Sequence, residues 1–119
     1  MKFLSIVKTP EHLGAPPQAL LDAMDKLVRE SIKNGSVVQT GGLAGSAKGA
    51  RVRLSGGKVT VTDGPFTEAK EVLGGYAMLE AASREEAIAN AKLFLDLHRK
   101  HWPAWSGECE IREIVFLAP

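Results

Sequence analysis

The sequence predicts an α+β fold, and three observations lead to that class. Two helical patterns are each set between strand-like segments, and a glycine-centred hairpin separates the two units. The first and last strand-like segments are apolar on both faces, which is typical of a sheet that is covered on both sides. We therefore expect the order β-α-β, hairpin, β-α-β in a ferredoxin-like arrangement, with both helices on one face of the sheet.

The first β-α-β unit opens with a short apolar strand over residues 3–7. Pro16 and Pro17 suit the first turn of a helix, because proline lacks only a hydrogen that has no partner there. The helix carries an apolar stripe at a spacing of 3.6 residues, formed by Leu20, Met24, Leu27, Val28 and Ser31/Ile32. Asn34-Gly35 ends it, and a second strand is predicted over 37–43.

The hairpin is the clearest local pattern in the chain. Residues 51–54 and 59–62 alternate between apolar and polar, and Gly56-Gly57 between them supplies a two-residue turn. Such a turn predicts the pairs Leu54–Val59 and Val52–Val61 on an apolar face, and Arg53–Thr60 and Arg51–Thr62 on a polar face. Because side chains alternate along a strand, Asp63 falls at the end of the apolar face.

The second β-α-β unit is predicted to begin with a strand over 76–81. Ser83 and Glu86 then form a capping box, the signature of a helix N-terminus. The apolar stripe of this helix is Ala87, Ile88, Ala91, Phe94, Leu95 and His98. Pro103 ends the helix, and the last strand is predicted over 109–117.

The two-faced strands also predict a partner. Phe3 and Val7 lie on one face of the first strand, and Leu4 and Ile6 lie on the other. Two helices cover only one face of a sheet, so an apolar face of several hundred Å² would remain in water in a monomer. We expect a homodimer in which the open faces of two sheets pack together.

Composition restricts the classes of function. The 119 residues suit a single domain over 1–119, and a net charge of +1 gives no basic footprint for nucleic acid. No apolar run reaches the length of a membrane span, and the N-terminus lacks a signal-like segment, so we expect a cytoplasmic protein that binds no membrane. The single cysteine, Cys109, excludes an internal disulfide and a four-cysteine zinc site.

Asp63 is the first candidate for a functional residue. The Asp63-Gly64-Pro65 sequence is typical of a turn in which the carboxylate accepts backbone N–H groups. Alternatively, Asp63 lies at the rim of a partly apolar cleft, where desolvation would raise its pKa toward that of a general base. An anchored carboxylate can still present one oxygen to a ligand, so we predict that Asp63 does both, with Arg112 as a charge partner.

The remaining candidates each have a structural alternative. Gly41-Gly42 fits no phosphate-binding motif and is interpreted as a flexible connector that lines a cleft. His98 and His101 are three residues apart but have no clear third ligand, so we predict no metal site. His98 is expected at the edge of the core, and Trp102 and Trp105 in core packing or a dimer contact. Lys70 belongs either to a solvated loop or to a gate over the cleft.

A longer set of residues resembles a known family. The segment 61–66, VTDGPF, followed by Lys70-Glu71 and by Leu73-Gly74-Gly75-Tyr76, resembles the signature of the DGPF branch of the YCII-related proteins. Gly41-Gly42-Leu43, Arg51-Val52-Arg53, Glu86-Ala87 and Glu110-Ile111-Arg112 match in the same order. The resemblance implies a dimeric α+β barrel.

The resemblance does not define a reaction. Similarity to small barrel enzymes of the muconolactone isomerase type implies a cofactor-independent isomerase, lactone-type or other proton-transfer enzyme. Association of many relatives with extracytoplasmic-function sigma factors implies a non-catalytic sensor or accessory module instead. The expected site residues are Asp63 as the catalytic group and Gly41, Gly42, Phe66, Lys70, Tyr76, His98 and Arg112 as contacts to a small-molecule ligand.

Two departures from the family pattern concern the site. Smaller YCII proteins pair an aspartate with a histidine near the first helix, whereas here His12 precedes that helix. Glu113 follows Arg112, where the family often has proline. The histidine–aspartate pair is therefore not carried over to this chain.

Overall fold

The computed structural model describes residues 1–117. Positions 118–119 of the predicted domain lie outside the described residues. The elements are β1 (Lys2–Thr9), α1 (Gln18–Lys33), β2 (Val37–Gly42), a 3₁₀ turn (Ser46–Lys48), β3 (Ala50–Ser55), β4 (Lys58–Asp63), β5 (Val72–Glu80), α2 (Arg84–His101) and β6 (Glu108–Glu113). Two helices and antiparallel sheets confirm the predicted α+β class.

Four strands form the main sheet in the order β2-β5-β1-β6, and every neighbouring pair is antiparallel. This order interleaves the two β-α-β units, because β1 lies between β5 and β6 of the second unit. Phe3 at the centre of the sheet is opposite Leu79 on one side and Glu113 on the other.

The core lies between one face of this sheet and the helices. Phe3, Val37 and Leu79 point to that face and pack with Ala87 of α2. Leu20 of α1 is fully buried. Leu20 and Leu79 are the only large side chains among the described residues with less than 2% exposure, so the core is thin.

The hairpin forms a separate two-stranded sheet of β3 and β4. Its register is the predicted one, with Leu54 opposite Val59 and Val52 opposite Val61. Gly56 and Gly57 have φ angles of 59° and 76°, the left-handed conformation that a tight hairpin turn requires of both residues. The four apolar side chains of this face remain between 64% and 71% exposed.

Helix α2 begins as predicted. The Ser83 hydroxyl accepts a hydrogen bond from the Glu86 N–H at 3.2 Å. The Glu86 carboxylate accepts one from the Ala82 N–H at 2.9 Å, one residue before the usual partner in a capping box.

Two strand boundaries differ from the prediction. Strand β5 begins at Val72 rather than Tyr76, since its glycines serve close packing and not a loop. A Cβ on Gly75 would lie 2.9 Å from the Gly41 carbonyl oxygen of β2, and one on Gly74 would lie 2.4 Å from Cγ2 of Thr9. Strand β6 ends at Glu113 rather than Leu117, because its partner β1 begins at Lys2, whose carbonyl accepts the last hydrogen bond from the Ile114 N–H at 2.8 Å.

Candidate functional site

A cavity of about 720 Å³ lies between the helix-covered face of the sheet and the two helices. Apolar side chains of α1 and α2 form much of its wall, among them Leu20, Met24, Val28 and Phe94. The loop after β1, the segment after β2 and the two tryptophans after α2 complete the lining. A cavity of this volume and composition has the dimensions of a small-molecule site.

Three aromatic rings, tilted by 46° to 50° against one another, form the part of the wall near the end of α2. The centroid of the His98 ring lies 4.5 Å from that of Phe94 and 4.4 Å from that of Trp105. His98 is only 6% exposed, and this burial lowers its pKa. The neutral form of the imidazole is therefore favoured at neutral pH.

Trp105 is fixed by a contact to β1. Its indole Nε1–H donates a hydrogen bond to Oγ1 of Thr9 at 2.8 Å. Gly107 allows the indole to approach, since a Cβ at that position would lie 2.5 Å from Cζ2 of Trp105. The indole consequently presents its apolar ring surface to the cavity.

The rim of the cavity is organised by Glu11 and Ser46. The Ser46 hydroxyl donates to one oxygen of Glu11 at 2.7 Å, and the Ser46 backbone N–H donates to the other. These two hydrogen bonds lower the pKa of Glu11. The Ser46 hydroxyl also accepts from the Phe66 N–H at 3.3 Å, so the loop after β4 is attached to the same cluster.

Gly64 makes the closest backbone approach in this cluster. A Cβ on Gly64 would lie 1.6 Å from the Ser46 carbonyl oxygen. The Gly64 N–H donates to the Gly49 carbonyl at 2.9 Å, and the Gly64-Pro65 peptide bond is cis. The DGPF segment is thus packed on the 3₁₀ turn at the rim.

Asp63 lies beside this cluster and outside the lining of the cavity. It is opposite Ala50 at the end of β4, its side chain is exposed, and it has no side-chain hydrogen bond within residues 1–117. The predicted hydrogen bonds from the following loop are therefore not formed. Arg112 contacts Glu110 at 3.1 Å and not Asp63, because Arg112 lies in β6 of the main sheet, away from the hairpin.

The other predicted site residues divide into two groups. Gly41, Gly42, Tyr76 and His98 line the cavity. Phe66, Lys70 and Arg112 do not line it. Phe66 instead lies under the Arg51 guanidinium, 3.9 Å from its carbon to the ring centroid, and Arg51 pairs with Glu68.

Glu11, Ser46 and Thr9 were not predicted from the sequence. Glu11 and Ser46 are 35 residues apart, and Thr9 and Trp105 are 96 residues apart. No local motif marks such pairs. The serine flanked by Gly45 was the only available signal, and it does not identify its partner.

The described residues offer neither a metal site nor a membrane-spanning helix. No three His, Cys, Asp or Glu side chains within residues 1–117 lie close enough together to hold a metal ion. No helix in that range has both the length and the apolar character to cross a membrane.

A four-stranded antiparallel sheet and two helices, with a ligand-sized cavity between them, make this a small α+β protein with a candidate ligand site. The sequence model of the YCII-related domain matches residues 1–93. An uncharacterised protein of Rhizobium meliloti (strain 1021) is 33% identical over 99 residues, which are 83% of this chain and 73% of that protein. The chain belongs to the YCII-related family.

Proposed function

We propose that this protein binds a small molecule in the cavity between its sheet and its helices. The observation that carries the proposal is the cavity of about 720 Å³, which lies within the range of small-molecule sites. A core that fully buries only two large side chains leaves this space open. The polar groups are few and sit on separate elements, among them Thr9, Thr40 and His98.

We further propose that the protein is a homodimer, a ferredoxin-like single domain of the dimeric α+β barrel type in the DGPF branch. The apolar face of the hairpin supports this, because Val52, Leu54, Val59 and Val61 are each at least 64% exposed. The radius of gyration of 16.0 Å exceeds the value of about 13.5 Å expected for a compact chain of this length. The hairpin thus extends from the body as an arm that a second copy can cover.

The proposed chemistry is cofactor-independent proton transfer of the isomerase or lactone type. Asp63 is the proposed catalytic group, at the end of β4 and directly before the loop that carries Phe66 and Lys70. Its support is position: Asp63 precedes Gly64, which packs on Ser46, and Ser46 binds the Glu11 that lines the cavity. Binding without turnover would favour the sensor or accessory role that the resemblance to sigma-factor-associated relatives implies.

Thermal-shift screening of small metabolites tests the binding site when it is combined with two phenylalanine substitutions. Ala91 lines the cavity and is 8% exposed, so Ala91→Phe fills part of the space. Leu93 on the same helix is 55% exposed and lies outside the lining, so Leu93→Phe is the matched control. Compounds that raise the Tm of the wild type and of Leu93→Phe should fail to raise that of Ala91→Phe. Equal shifts in all three proteins would place the ligand elsewhere.

A further inference from the structure

We infer that Nε2 of His98 is the hydrogen-bond acceptor for the ligand, and that the ligand is a flat, uncharged molecule with one O–H or N–H donor. This inference rests on the proposed function, since it concerns the same cavity. It gives a defined role to His98, which the sequence predicts both at the edge of the core and as a contact to the ligand.

The contact between His98 and Phe94 determines which nitrogen of the imidazole carries the hydrogen. Nδ1 of His98 lies 3.0 Å from the carbonyl oxygen of Phe94, one turn earlier in α2. A carbonyl oxygen only accepts hydrogen bonds, so Nδ1 of the neutral ring carries the hydrogen. Nε2 is then the nitrogen with a free lone pair, and it can accept a hydrogen bond or a proton.

The lone pair on Nε2 must also be accessible to a ligand. Nε2 has no hydrogen-bond partner in the part of the chain that the structure describes. Every fully buried side-chain nitrogen or oxygen within residues 1–117 does have a partner, so Nε2 is not sealed in the core. His98 lines the cavity, and the residue as a whole is 94% buried. Nε2 therefore remains accessible, on a residue that lines the cavity.

The charged residues around the cavity determine which ligand charge is favoured. No lysine or arginine belongs to the cavity lining formed by residues 1–117. Of the two carboxylates in the lining, Glu11 is bound by Ser46 and Asp25 by the Arg29 guanidinium at 2.8 Å. Tyr76 is the remaining titratable residue in the wall besides His98. Cys109 lies on β6, next to β1, and is held as a thiol because burial raises its pKa. An anion would lose its hydration here without gaining a counter-charge, so a neutral ligand is favoured over an anionic one.

The aromatic rings beside His98 determine which ligand shape is favoured. The rings of Phe94 and Trp105 flank His98 with centroids within 4.5 Å of it. The Trp105 N–H is already occupied by Thr9, so these rings offer apolar surface only. Aromatic side chains pack well against planar rings, and the single acceptor fixes the orientation of one donor.

Three naphthalene derivatives separate these features. 1-Naphthol carries one donor, naphthalene carries none, and 1-naphthoate is an anion of similar size. Binding is measured by fluorescence titration of the full chain, for the wild type, for His98→Phe and for the control His101→Phe. His98→Phe keeps an aromatic ring and removes the acceptor, whereas His101 lies three residues later in α2 and outside the lining.

The wild type and His101→Phe should bind 1-naphthol about fivefold to tenfold more tightly than naphthalene, which is the effect of one neutral hydrogen bond. His98→Phe should lose that preference and keep its affinity for naphthalene, and 1-naphthoate should bind weakest to the wild type. Naphthalene binding without a preference for 1-naphthol, or tightest binding of 1-naphthoate, overturns the inference and leaves the proposed cavity intact. If neither neutral probe binds, the inference of a flat, uncharged ligand fails, whereas the proposed cavity is decided by the metabolite screen with Ala91→Phe.

A measurement without any ligand tests the same assignment. Nitrogen-15 NMR of the imidazole should show a protonated Nδ1 and an unprotonated Nε2 for His98 near neutral pH. A hydrogen on Nε2 overturns the inference whatever the probes do, and His98→Phe identifies the resonance.

Discussion

Trp105 and Thr9 are joined by a hydrogen bond of 2.8 Å between the indole N–H and the threonine hydroxyl. The bond attaches the segment after α2 to the end of β1, and both residues line the cavity. Because the Trp105 ring also packs against the His98 ring at a tilt of 46°, one side chain positions both the wall and the polar group of the candidate site.

Removing either partner of this hydrogen bond should lower the free energy of unfolding, and the effects of the two substitutions should not be additive. Trp105→Phe and Thr9→Val should each lower the free energy of unfolding by about 1 kcal/mol or more, since each leaves a partly buried partner unpaired. The double variant should be less destabilised than the sum of the two. Denaturant unfolding of all four proteins gives the coupling, with Thr60→Val in the exposed hairpin as a control. Simple additivity would show that the contact is not formed in solution.

The Glu11–Ser46 cluster predicts a pH dependence. Hydrogen bonds from Ser46 lower the pKa of Glu11 in the folded protein below its ordinary value of 4.5. A lowered pKa means that the native state favours the carboxylate, so its stabilisation is present above pH 4.5 and is lost as the pH falls through the folded pKa. The Tm advantage of the wild type over Glu11→Gln should shrink over that acidic range.

Glu30→Gln is the control for this experiment, because Glu30 is exposed on α1. A difference between wild type and Glu11→Gln that stays constant from neutral to acidic pH would contradict the stabilisation of the Glu11 carboxylate.

The elements that the sequence predicted well are those with local causes. The hairpin register follows from a two-residue glycine turn and from alternation, both contained within residues 51–62. The start of α2 follows from the pairing of Ser83 with the backbone N–H of Glu86. In each case the interacting groups are close neighbours in the chain.

The candidate site was predicted only in part, because it depends on contacts between distant segments. The apolar stripes of both helices predict which faces pack toward the sheet, but they do not predict the size of the cavity that their side chains line. The family signature predicts Asp63 as the central site residue, but the groups that organise the rim are Glu11 and Ser46. Strand β5 was placed too late because Gly74 and Gly75 resemble a loop until their close neighbours Thr9 and Gly41 are known.

Gly64 should tolerate no side chain. Gly64→Ala places a methyl group 1.6 Å from the Ser46 carbonyl oxygen, so the backbone at the rim must move. We expect a loss of at least about 2 kcal/mol in the free energy of unfolding. Gly42→Ala is the control, since its Cβ would have no atom closer than 4.0 Å. Similar unfolding curves for the two variants would contradict the close packing of Gly64 on the 3₁₀ turn.

The proposed dimer should depend on one face of the hairpin. Val52→Asp combined with Val61→Asp places two charges on the apolar face, whereas Arg53→Asp combined with Thr60→Asp places them on the opposite face of the same strands. Size-exclusion chromatography with light scattering should give twice the chain mass for the wild type and the second variant, and the chain mass for the first. A wild-type monomer at micromolar concentration would rule out the dimer.

Asp63→Asn separates a structural from a functional aspartate. The side chain is exposed and has no side-chain hydrogen bond within residues 1–117, so the variant should unfold within about 0.5 kcal/mol of the wild type. An amide is nearly the same size as a carboxylate but cannot accept a proton as a base, so turnover of the ligands found in the screen should be lost. Thermal unfolding and product assays are run on the same preparation. Strong destabilisation would identify a structural aspartate, and unchanged binding and turnover would remove Asp63 from the proposed site.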